Sequence, residues 1–481
     1  MTTITTTPTS TAKIYSDFIV AIHLGTDNLI GLIGRRVEYN NSYALMDYVT
    51  EPAEGCMRRG CIYNVKKTEK KVKDLLAKLR QSIPGSLIDK VYLGFGGQSL
   101  HSVEQVVRRS LEPNTAVSEI LMNDLNEAGR DRHTDGLDVL DVLPPACFLE
   151  GRLEKNPVGT VCHDLEACYQ QLCARTSIHR QLETLLTKSP SLAKVLVSPL
   201  ALADVLLTED EKEMGCLLID FDWGVTTASL YRDGQLQGLC TIPLGCRLVV
   251  KDLSSHFSII ETDAEACLLY NGHALADEND TSNFSINTID RKGLRSVDTK
   301  EFDEVTEARL QEIIRNVEAR IKDFLDERAK NNLGDYLHAG VIITGYGARI
   351  PRMEEAVMQV FPLDAQSRNR VRDDIKVKIL KGDLKEEDIN PQAIGLLVTA
   401  TGEPYYLNCA GAIPKPPVAP PVVTPPVATP PAPPKAEESK QEPQPEAEPP
   451  KQPKETKKKS WFDKAKEKAK TGMGGLFDDV E

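Results

Sequence analysis

Two segments of the chain carry the same local signal: a strand, a short turn with glycine and threonine, and a returning strand. The first covers residues 18–33, with Gly25-Thr26 in its turn, and the second covers residues 216–231, with Gly224 and Thr226 in its turn. The backbone N–H groups of such a hairpin can surround a phosphate. The repetition predicts a duplicated α/β fold with one phosphate-binding hairpin in each half.

A third segment, residues 339–348, has the pattern of a buried strand that runs into a turn containing Gly345 and Gly347. A helical pattern follows over residues 353–361. Because glycine has no Cβ atom, such a turn lets a flat adenine ring approach the backbone closely. This segment therefore predicts the adenine side of a nucleotide cleft.

The C-terminal part of the chain has a different composition. More than half of the chain's 30 prolines lie between Pro414 and Pro453, where few residues could enter a core. We therefore expect a disordered, polyproline-II-biased linker over residues 411–459. As a coil, such a tether spans roughly 35–40 Å. Several P-x-x-P patterns leave an SH3-type ligand as an alternative.

Residues 460–481 have the pattern of a helix that lies on a membrane surface. At about 100° per residue, their apolar side chains fall within an arc of about 160°. Lysines such as Lys464 flank that arc, and each contributes on the order of 1 kcal/mol near an anionic leaflet. A helix that docks on a partner or on the body is the alternative. The apolar set is Trp461, Phe462, Ala465, Ala469, Met473, Leu476 and Phe477.

Composition excludes several other classes. The formal net charge of −13 and the lack of a basic stripe with interleaved aromatic residues argue against nucleic acid as a partner. No signal peptide and no apolar stretch of membrane-spanning length is evident, and residues 1–14 are expected to be disordered. The 11 cysteines have irregular spacings without a C-x-x-C pair. They predict reduced, mostly buried thiols in a cytoplasmic protein, and no metal site.

In order and spacing, the three nucleotide segments resemble the phosphate-1, phosphate-2 and adenosine elements of the actin/Hsp70/sugar-kinase superfamily. Residues 55–64, GCMRRGCIYN, are similar to the G-x-x-(K/R)-G-x-I-x-(D/N) motif of the bacterial division actin FtsA. Residues 156–159, 197–203 and 242–272 follow further motifs of that family, and FtsA proteins also end in a linker and an amphipathic anchor. The resemblance covers about residues 17–405.

The resemblance implies an α/β, actin-like (actin/Hsp70/sugar-kinase) fold with two lobes, an inserted subdomain of the FtsA type, a proline-rich linker and a C-terminal amphipathic helix. The expected division is 15–90, 164–211 and 376–410 in lobe 1 (subdomain 1A), 91–163 in the inserted subdomain (1C-like), 212–247 and 326–375 in lobe 2 (subdomain 2A), and 248–325 in subdomain 2B.

The same resemblance implies a set of nucleotide contacts. No catalytic and no metal-ligating residue is assigned. The implied contacts are Gly25, Thr26, Asp220, Gly224, Thr226, Gly245, Glu265, Gly345 and Gly347.

The sequence departs from the family pattern within this set. His23 stands where a carboxylate near Mg²⁺ is usual, Asp222 and Trp223 replace glycines of the phosphate-2 turn, and Tyr346 replaces a glycine of the adenosine turn. A side chain in a glycine turn blocks backbone approach, and an added anion repels a triphosphate. We therefore expect ATP, as Mg-ATP, to bind weakly or not at all, and we expect no efficient ATPase activity.

The function implied by the resemblance is cell division. The protein would form filaments, work with other division proteins, and tether the tubulin-like protein FtsZ to the cytoplasmic face of the membrane at the division site. In the helical pattern of residues 304–328, Arg309 would contact the C-terminal peptide of FtsZ, with Arg291 or Arg295 as helpers, because a guanidinium suits a carboxylate. A merely solvated amphipathic helix is the alternative.

Two other function classes stay open at this point. One is an actin-like assembly protein of a pilus or secretion system. The other is an ATP-dependent kinase or chaperone of the same fold superfamily, which the damaged glycine turns disfavour.

Overall fold

The computed structural model describes residues 18–38, 42–84, 88, 90–130, 136–186, 190–288, 292–325, 336–380, 384–385, 388–401 and 407–408. The predicted linker, the predicted membrane segment, the N-terminal residues 1–14 and Arg291 lie outside the described residues.

The described strands follow in chain order: β1 (Ile19–Leu24), β2 (Asn28–Glu38), β3 (Ser42–Pro52), β4 (Met57–Arg58), β5 (Cys61–Ile62), β6 (Lys90–Phe95), β7 (His101–Ser110), β8 (Leu137–Val142), β9 (Ala146–Leu149), β10 (Arg152–Glu154), β11 (Asp164–Arg175), β12 (Ser191–Val197), β13 (Cys216–Phe221), β14 (Thr226–Arg232), β15 (Gln235–Ile242), β16 (Asn283–Asn287), β17 (Leu294–Asp298), β18 (Val341–Gly345), β19 (Ala365–Ser367), β20 (Lys376–Ile379) and β21 (Leu407–Asn408). The described helices are α1 (Val65–Gln81), α2 (Glu119–Arg130), α3 (Ile178–Leu185), α4 (Ser198–Leu206), α5 (Glu209–Met214), α6 (Arg247–Phe257), α7 (Glu261–Tyr270), α8 (Thr299–Phe324), α9 (Met353–Val360) and α10 (Pro391–Thr401).

The sheet of lobe 1 has the strand order β12-β6-β1-β2-β3-β20. β1, β2 and β3 form an antiparallel meander, whereas β6 runs parallel to β1 and β12 runs parallel to β6. Helices contact two nearby points of β2: Gly31 faces Leu79 of α1, and Gly34 faces Leu397 of α10. A sheet covered on both faces explains why β1 is apolar at nearly every position.

The second sheet contains the equivalent elements of lobe 2. β13, β14 and β15 form an antiparallel meander, β18 runs parallel to β13, and β19 runs parallel to β18. Helices α6, α7, α8 and α9 supply much of the core on this side. Both predicted hairpins are therefore confirmed, β1–β2 in one lobe and β13–β14 in the other. Thr226 belongs to β14 rather than to the turn, which is shorter than the sequence pattern indicated.

The inserted subdomain has a small core of its own. Its buried residues come from β7, β8, β9, β11, α2 and the segments between them, with Tyr169 and Leu125 among the most buried. The limits of this subdomain differ from the division at 91 and 163. β6 pairs with β1 and so belongs to the sheet of lobe 1, whereas the first half of β11 packs in the inserted core.

The inserted strands also join the sheet of lobe 2. β7 pairs with β11 along most of its length, and it reaches β15 where His101 lies opposite Cys240. The short strand β21 pairs with β8 at Val142 and Asp141. The last described residues therefore lie at the inserted subdomain.

α8 is the long amphipathic helix that the sequence predicted over residues 304–328. It begins earlier, at Thr299, because the Asp298 carboxylate accepts a hydrogen bond from Glu301 N at 3.2 Å and caps the helix. Its inner face is fully buried at Phe302, Leu310 and Ile313. No helix in the described part of the chain is both long and apolar enough to cross a bilayer.

Candidate nucleotide cleft and partner groove

The turn of the first hairpin lies against lobe 1's own backbone. The Thr26 hydroxyl accepts a hydrogen bond from Gly60 N at 2.7 Å. Gly60 has a φ of +70°, and a Cβ at this position would lie 2.7 Å from the Cα of Gly97. Only glycine fits this left-handed, crowded position. The 55–64 motif therefore holds the threonine that the sequence assigned to phosphate binding.

The tips of the two hairpins touch each other. A Cβ added to Gly224 would overlap the Thr26 side chain, so the two turns approach as closely as a glycine allows. Gly245 packs on the same turn, because a Cβ there would lie 2.5 Å from the carbonyl carbon of Gly224. The Thr226 hydroxyl donates to the Leu244 carbonyl at 2.8 Å. These four predicted residues come together in one place, where they contact one another and the neighbouring Gly60 and Leu244.

A side-chain hydrogen bond also crosses the cleft. Gln392, at the start of α10 in lobe 1, donates from its Nε2 to the Oδ2 of Asp220 at the end of β13 in lobe 2. The space that remains between the hairpins is a cavity of about 10 Å³, lined by Thr26, Gly60 and Asp222 among others. That volume is about what one water molecule needs. This enclosed space is much smaller than a triphosphate.

The cavity is acidic. Burial raises the pKa of the Asp220 carboxyl to about 7, although the hydrogen bond from Gln392 opposes this. Burial, and then repulsion from Asp220 and Asp27, raises the pKa of Asp222 well above its usual range. Because the two carboxyls interact, they titrate as a pair. None of the described residues that line the cavity is a lysine or an arginine.

His23 is neutral and buried at the end of β1. Burial lowers its pKa to about 4, and its Nδ1 lies 3.5 Å from the Ser198 hydroxyl. It therefore supplies neither the carboxylate that is usual at this place nor a positive charge that would offset the two aspartates. Among the described residues, no group of three or more histidine, cysteine or acidic side chains is arranged to hold a metal ion.

On the adenine side, two aromatic rings occupy glycine positions. Gly345 has a φ of +83° and packs directly on Asp220. Gly347 packs on Phe221, where a Cβ would lie 2.6 Å from that of Phe221. Between the two glycines, the Tyr346 ring meets Trp223 edge to face, with the ring centroids 5.0 Å apart. The side chains that replace glycines in the two turns thus pack against each other.

Glu265 in α7 completes the predicted set. Burial, and then repulsion from Asp27, raises the pKa of its carboxyl. Burial and the nearby Glu265 raise the pKa of Tyr346, whose buried hydroxyl makes no hydrogen bond of normal geometry. All nine residues that the resemblance assigned to the nucleotide therefore surround one cleft, which contains several acidic side chains with raised pKa values and large side chains at glycine positions of its turns.

The N-terminus of α6, a potential phosphate site, is also in use. The backbone N–H of Cys246 donates to the Asp222 carbonyl at 3.0 Å, and that of Arg247 donates to the Trp223 carbonyl at 2.9 Å. Donors at a helix N-terminus bind anions only while they are free. Here the carbonyl groups of Asp222 and Trp223, in the turn of the second hairpin, accept the hydrogen bonds of these two donors.

A second candidate site is a groove of about 500 Å³ between α6 and α8. It is lined by Asp252, Ser255 and His256 of α6 and by Val305, Ala308, Arg309 and Glu312 of α8. We call it the α6/α8 groove.

Arg309 lines this groove and is ion-paired. Its Nε donates to Asp252 at 2.6 Å, and its Nη1 donates to Glu312. The Arg309 side chain is 28% exposed, and no hydrogen bond to a described residue uses its Nη2 group. Arg295, in β17, donates instead to the carbonyl of Phe257 at the end of α6 and does not line the groove.

Two residues of these sites were not assigned from the sequence. Gln392 follows Pro391 at a helix start, and nothing in that local pattern signals a contact with Asp220. Asp252 belongs to the motif at residues 242–272, but the sequence did not assign it to a site. In the structure it is the ion-pair partner of Arg309 across the groove. In both cases the partner lies far away in the sequence.

Comparison of the sequence with known proteins finds relatives in the family that the motifs resemble. The family model described as "Cell division protein FtsA" matches residues 217–393. The FtsA of Porphyromonas gingivalis is 28% identical over 346 residues, which cover 70% of each chain. The FtsA of Escherichia coli K12 is 22% identical over 346 residues, 71% of this chain and 82% of the relative. That of Bacillus subtilis is 24% identical over 345 residues, 70% and 75% of the two chains.

Among solved structures, a chain of the "PilM-PilN type IV pilus biogenesis complex" superposes with a TM-score of 0.54 at 13% identity, covering 80% of this chain and 99% of that chain. The likeness shows the fold alone. With its two lobes and paired hairpins, this chain is an actin-like protein. The sequence matches support, more particularly, an FtsA-type protein of cell division.

Proposed function

We propose that this protein attaches FtsZ filaments to the cytoplasmic face of the membrane at the division site. The observation that carries the proposal is that one chain joins an FtsA-type head to a basic tail with Trp461 and Phe462. The head supplies the contact with the division machinery, and the tail supplies adhesion to an anionic leaflet.

Self-assembly is part of this proposal because one short anchor binds weakly. Two or three embedded rings give only marginal, reversible attachment. If heads line up in a filament, many tails engage the same membrane, and avidity raises binding by about 10²–10⁴ without any new contact. The long tether lets each tail reach the membrane without pressing its head onto it.

We propose that the C-terminal peptide of FtsZ binds in the α6/α8 groove. The apolar floor at Val305 and Ala308 can take an apolar side chain of the peptide. An acidic group of the peptide can approach the Nη2 group of Arg309, since Asp252 and Glu312 use only Nε and Nη1. Arg295 and Arg291 are proposed as helpers, the latter outside the described residues.

We also propose that the nucleotide cleft binds Mg-ATP weakly or not at all and does not act as an efficient ATPase. Three contacts support this proposal: Thr26 packs on Gly224, Gln392 donates a hydrogen bond to Asp220, and the rings of Trp223 and Tyr346 meet. Binding would have to break these contacts and bring a triphosphate next to Asp222. In this proposal tethering and scaffolding, not turnover, are the work of the protein.

A pilus or secretion role is supported only by the structural similarity to a chain of the PilM-PilN complex. At 13% identity that likeness concerns the fold, so it does not favour this function over cell division.

The test is recruitment of FtsZ to liposomes that contain anionic lipid. Full-length protein should carry FtsZ into the lipid pellet. Trp461→Glu combined with Phe462→Glu should abolish pelleting of both proteins and leave the melting temperature of the head unchanged. Trp461→Phe, which keeps an apolar ring, is the matched control and should pellet normally. Unchanged pelleting of the double-glutamate variant would reject the anchor, and pelleting of the protein without FtsZ would reject the tether.

A further inference from the structure

The exposed face of α1 carries a stripe of positive charge. Of its 17 residues, seven are lysine or arginine and two are acidic, in a chain whose formal net charge is −13. At about 100° per residue, five exposed side chains fall within an arc of about 80°. They are Lys66, Lys70, Lys73, Ala77 and Arg80. This set, which we call the α1 stripe, is about 21 Å long at the rise of a helix.

The apolar side of α1 holds the helix on lobe 1. Val72, Leu75 and Leu79 are fully buried there, and Leu79 packs on Gly31 of β2. The α1 stripe therefore points away from the sheet, and Ala77 in its middle is too small to screen the cations on either side.

Most cations of the α1 stripe have no acidic partner in the described part of the chain. Lys66, Lys70 and Arg80 form no ion pair with another described residue, whereas Lys73 pairs with Glu69 at 2.6 Å. An ion pair between exposed side chains contributes little, so that pair holds Lys73 only weakly. Asp74, the other acid of α1, lies outside the arc. The charges of the stripe can thus meet an outside anion without first breaking a strong contact.

The first turn of α1 places positive charge against the helix dipole. Lys66 and Lys67 lie there, and the turn contains no acidic residue. Because the N-terminus of a helix carries a partial positive charge, acids are favourable in the first turn and cations are unfavourable. A local departure from the stabilising pattern is expected at functional surfaces. This placement therefore favours a binding role for the stripe over a merely solvated face.

An exposed aromatic residue lies at the same end of α1. Tyr63 comes directly before the N-cap residue Asn64, and it is 68% exposed. A tyrosine ring has an apolar body and a polar tip, so it suits the headgroup level of a bilayer. Basic residues beside an exposed tyrosine form the combination that an anionic membrane surface attracts.

A row of like charges on a convex helix fits a broad anionic surface better than a peptide. Peptide recognition depends on pockets that hold particular side chains. Neither the nucleotide cleft nor the α6/α8 groove is lined by a residue of α1. An anionic leaflet, in contrast, attracts every cation within about 10 Å and needs no fixed register.

We propose that the α1 stripe binds the anionic headgroups of the membrane, as a second contact of the protein beside its tail. This rests on the proposed function, in which the tail brings the head to the membrane. A flexible tether alone leaves the head free to turn. With the second contact, lobe 1 faces the leaflet through α1, and the two weak contacts strengthen each other.

The test is sedimentation of the full-length protein with vesicles of phosphatidylcholine and phosphatidylglycerol. The stripe variant combines Lys66→Gln, Lys70→Gln and Arg80→Gln, which removes the three unpaired charges and keeps good helix formers. Each cation near an anionic leaflet strengthens binding about fivefold, so the affinity of this variant should fall by about tenfold or more. With vesicles of phosphatidylcholine alone, the variant and the unaltered protein should bind equally.

The matched control removes the same charge elsewhere on the head. Arg152→Gln, Arg315→Gln and Arg320→Gln change three exposed arginines of the inserted subdomain and of lobe 2. This scattered variant should keep the affinity of the unaltered protein for the anionic vesicles. Because all six side chains are exposed, the melting temperatures of both variants should stay close to that of the unaltered protein.

The outcomes separate the inference from the proposed function. An equal loss of affinity in the two variants would mean that net charge acts, and the inference is overturned. If the stripe variant binds normally while Trp461→Glu with Phe462→Glu abolishes pelleting, the tail is the whole anchor; the inference falls and the proposed function stands. If the unaltered protein does not pellet, both fall. If the stripe variant keeps its vesicle affinity but loses recruitment of FtsZ, the stripe is a protein-docking surface and the inference is overturned.

Discussion

The rings of Trp223 and Tyr346 in lobe 2 meet edge to face with their centroids 5.0 Å apart, although 122 residues separate them in the sequence. Each ring stands where the family pattern has a glycine. One replacement alone would leave a side chain projecting into the cleft, whereas the two together form a packed pair. Aromatic pairs of this geometry contribute about 0.5–1.5 kcal/mol beyond their buried area.

The first prediction is that Mg-ATP barely stabilises the protein. A ligand that binds only the folded state stabilises it by RT ln(1 + [L]/Kd), so 1 mM Mg-ATP adds about 0.4 kcal/mol when Kd is 1 mM and about 4 kcal/mol when Kd is 1 μM. We expect the smaller effect or none, because the hairpin tips and the aromatic pair fill the cleft. Urea unfolding with and without Mg-ATP measures the difference.

A variant in which the replaced glycines are restored tests the same prediction. Asp222→Gly, Trp223→Gly and Tyr346→Gly together remove the extra charge and both rings. This variant should unfold more easily without nucleotide, since it loses the aromatic packing, but Mg-ATP should stabilise it more than it stabilises the unaltered protein. Strong stabilisation of the unaltered protein would contradict our account of the cleft.

Much of this cleft could be predicted from the sequence because its elements are local. Gly25-Thr26 and Gly224 mark turns whose flanking strands are apolar, and a hairpin forms between neighbouring segments of the chain. Their meeting in one cleft followed from the resemblance to the actin superfamily. The sequence also identified Trp223 and Tyr346 as departures. It could not indicate that they touch, because that contact depends on how β13 and β18 pair.

The second prediction concerns the hydrogen bond between the lobes. Gln392→Ala removes the amide that donates to Asp220 and leaves a buried carboxyl oxygen without its partner. We expect a loss of about 1–3 kcal/mol in the free energy of unfolding. Gln81→Ala, at the exposed end of α1, is the control and should change little. Equal stability of the two variants would show that the contact across the cleft contributes nothing.

The third prediction is a pH dependence that comes from Asp220 and Asp222. Their pKa values are raised in the folded protein, to about 7 for Asp220, above the ordinary value of 3.8. The folded state therefore holds more protons than the unfolded state from about pH 4 to beyond pH 7, and stability falls as the pH rises through that range. Asp222→Asn removes one of the two carboxyls and relieves the repulsion on the other.

Asp222→Asn should therefore be more stable than the unaltered protein at pH 8, and this advantage should shrink at pH 5. Urea unfolding at the two pH values measures it. Asp323→Asn, an exposed carboxyl on α8, serves as the comparison and should show no such trend. An advantage of Asp222→Asn that is the same at both pH values would mean that the pair is not buried as the structure has it.

Other features lay beyond sequence reasoning for physical reasons. The limits of the inserted subdomain depend on parallel pairing of β6 with β1, and parallel partners can come from distant parts of the chain. The sequence placed Arg309 on an amphipathic helix, but the ion pair with Asp252 depends on how α6 packs against α8. Long-range side-chain partners of this kind carry no local signal.

The last prediction concerns Arg309 itself. Arg309→Ala removes the guanidinium whose Nη2 group is proposed to meet an acidic group of the FtsZ peptide, so peptide binding should weaken by about tenfold, which corresponds to about 1.4 kcal/mol. Arg320→Ala is the matched control, because Arg320 is an exposed arginine on the same helix that also pairs with an acid three residues on, Asp323 at 3.8 Å. It should leave the affinity unchanged. Fluorescence anisotropy with the labelled peptide measures both, and an equal loss in the two variants would mean that the effect comes from net charge rather than from the groove.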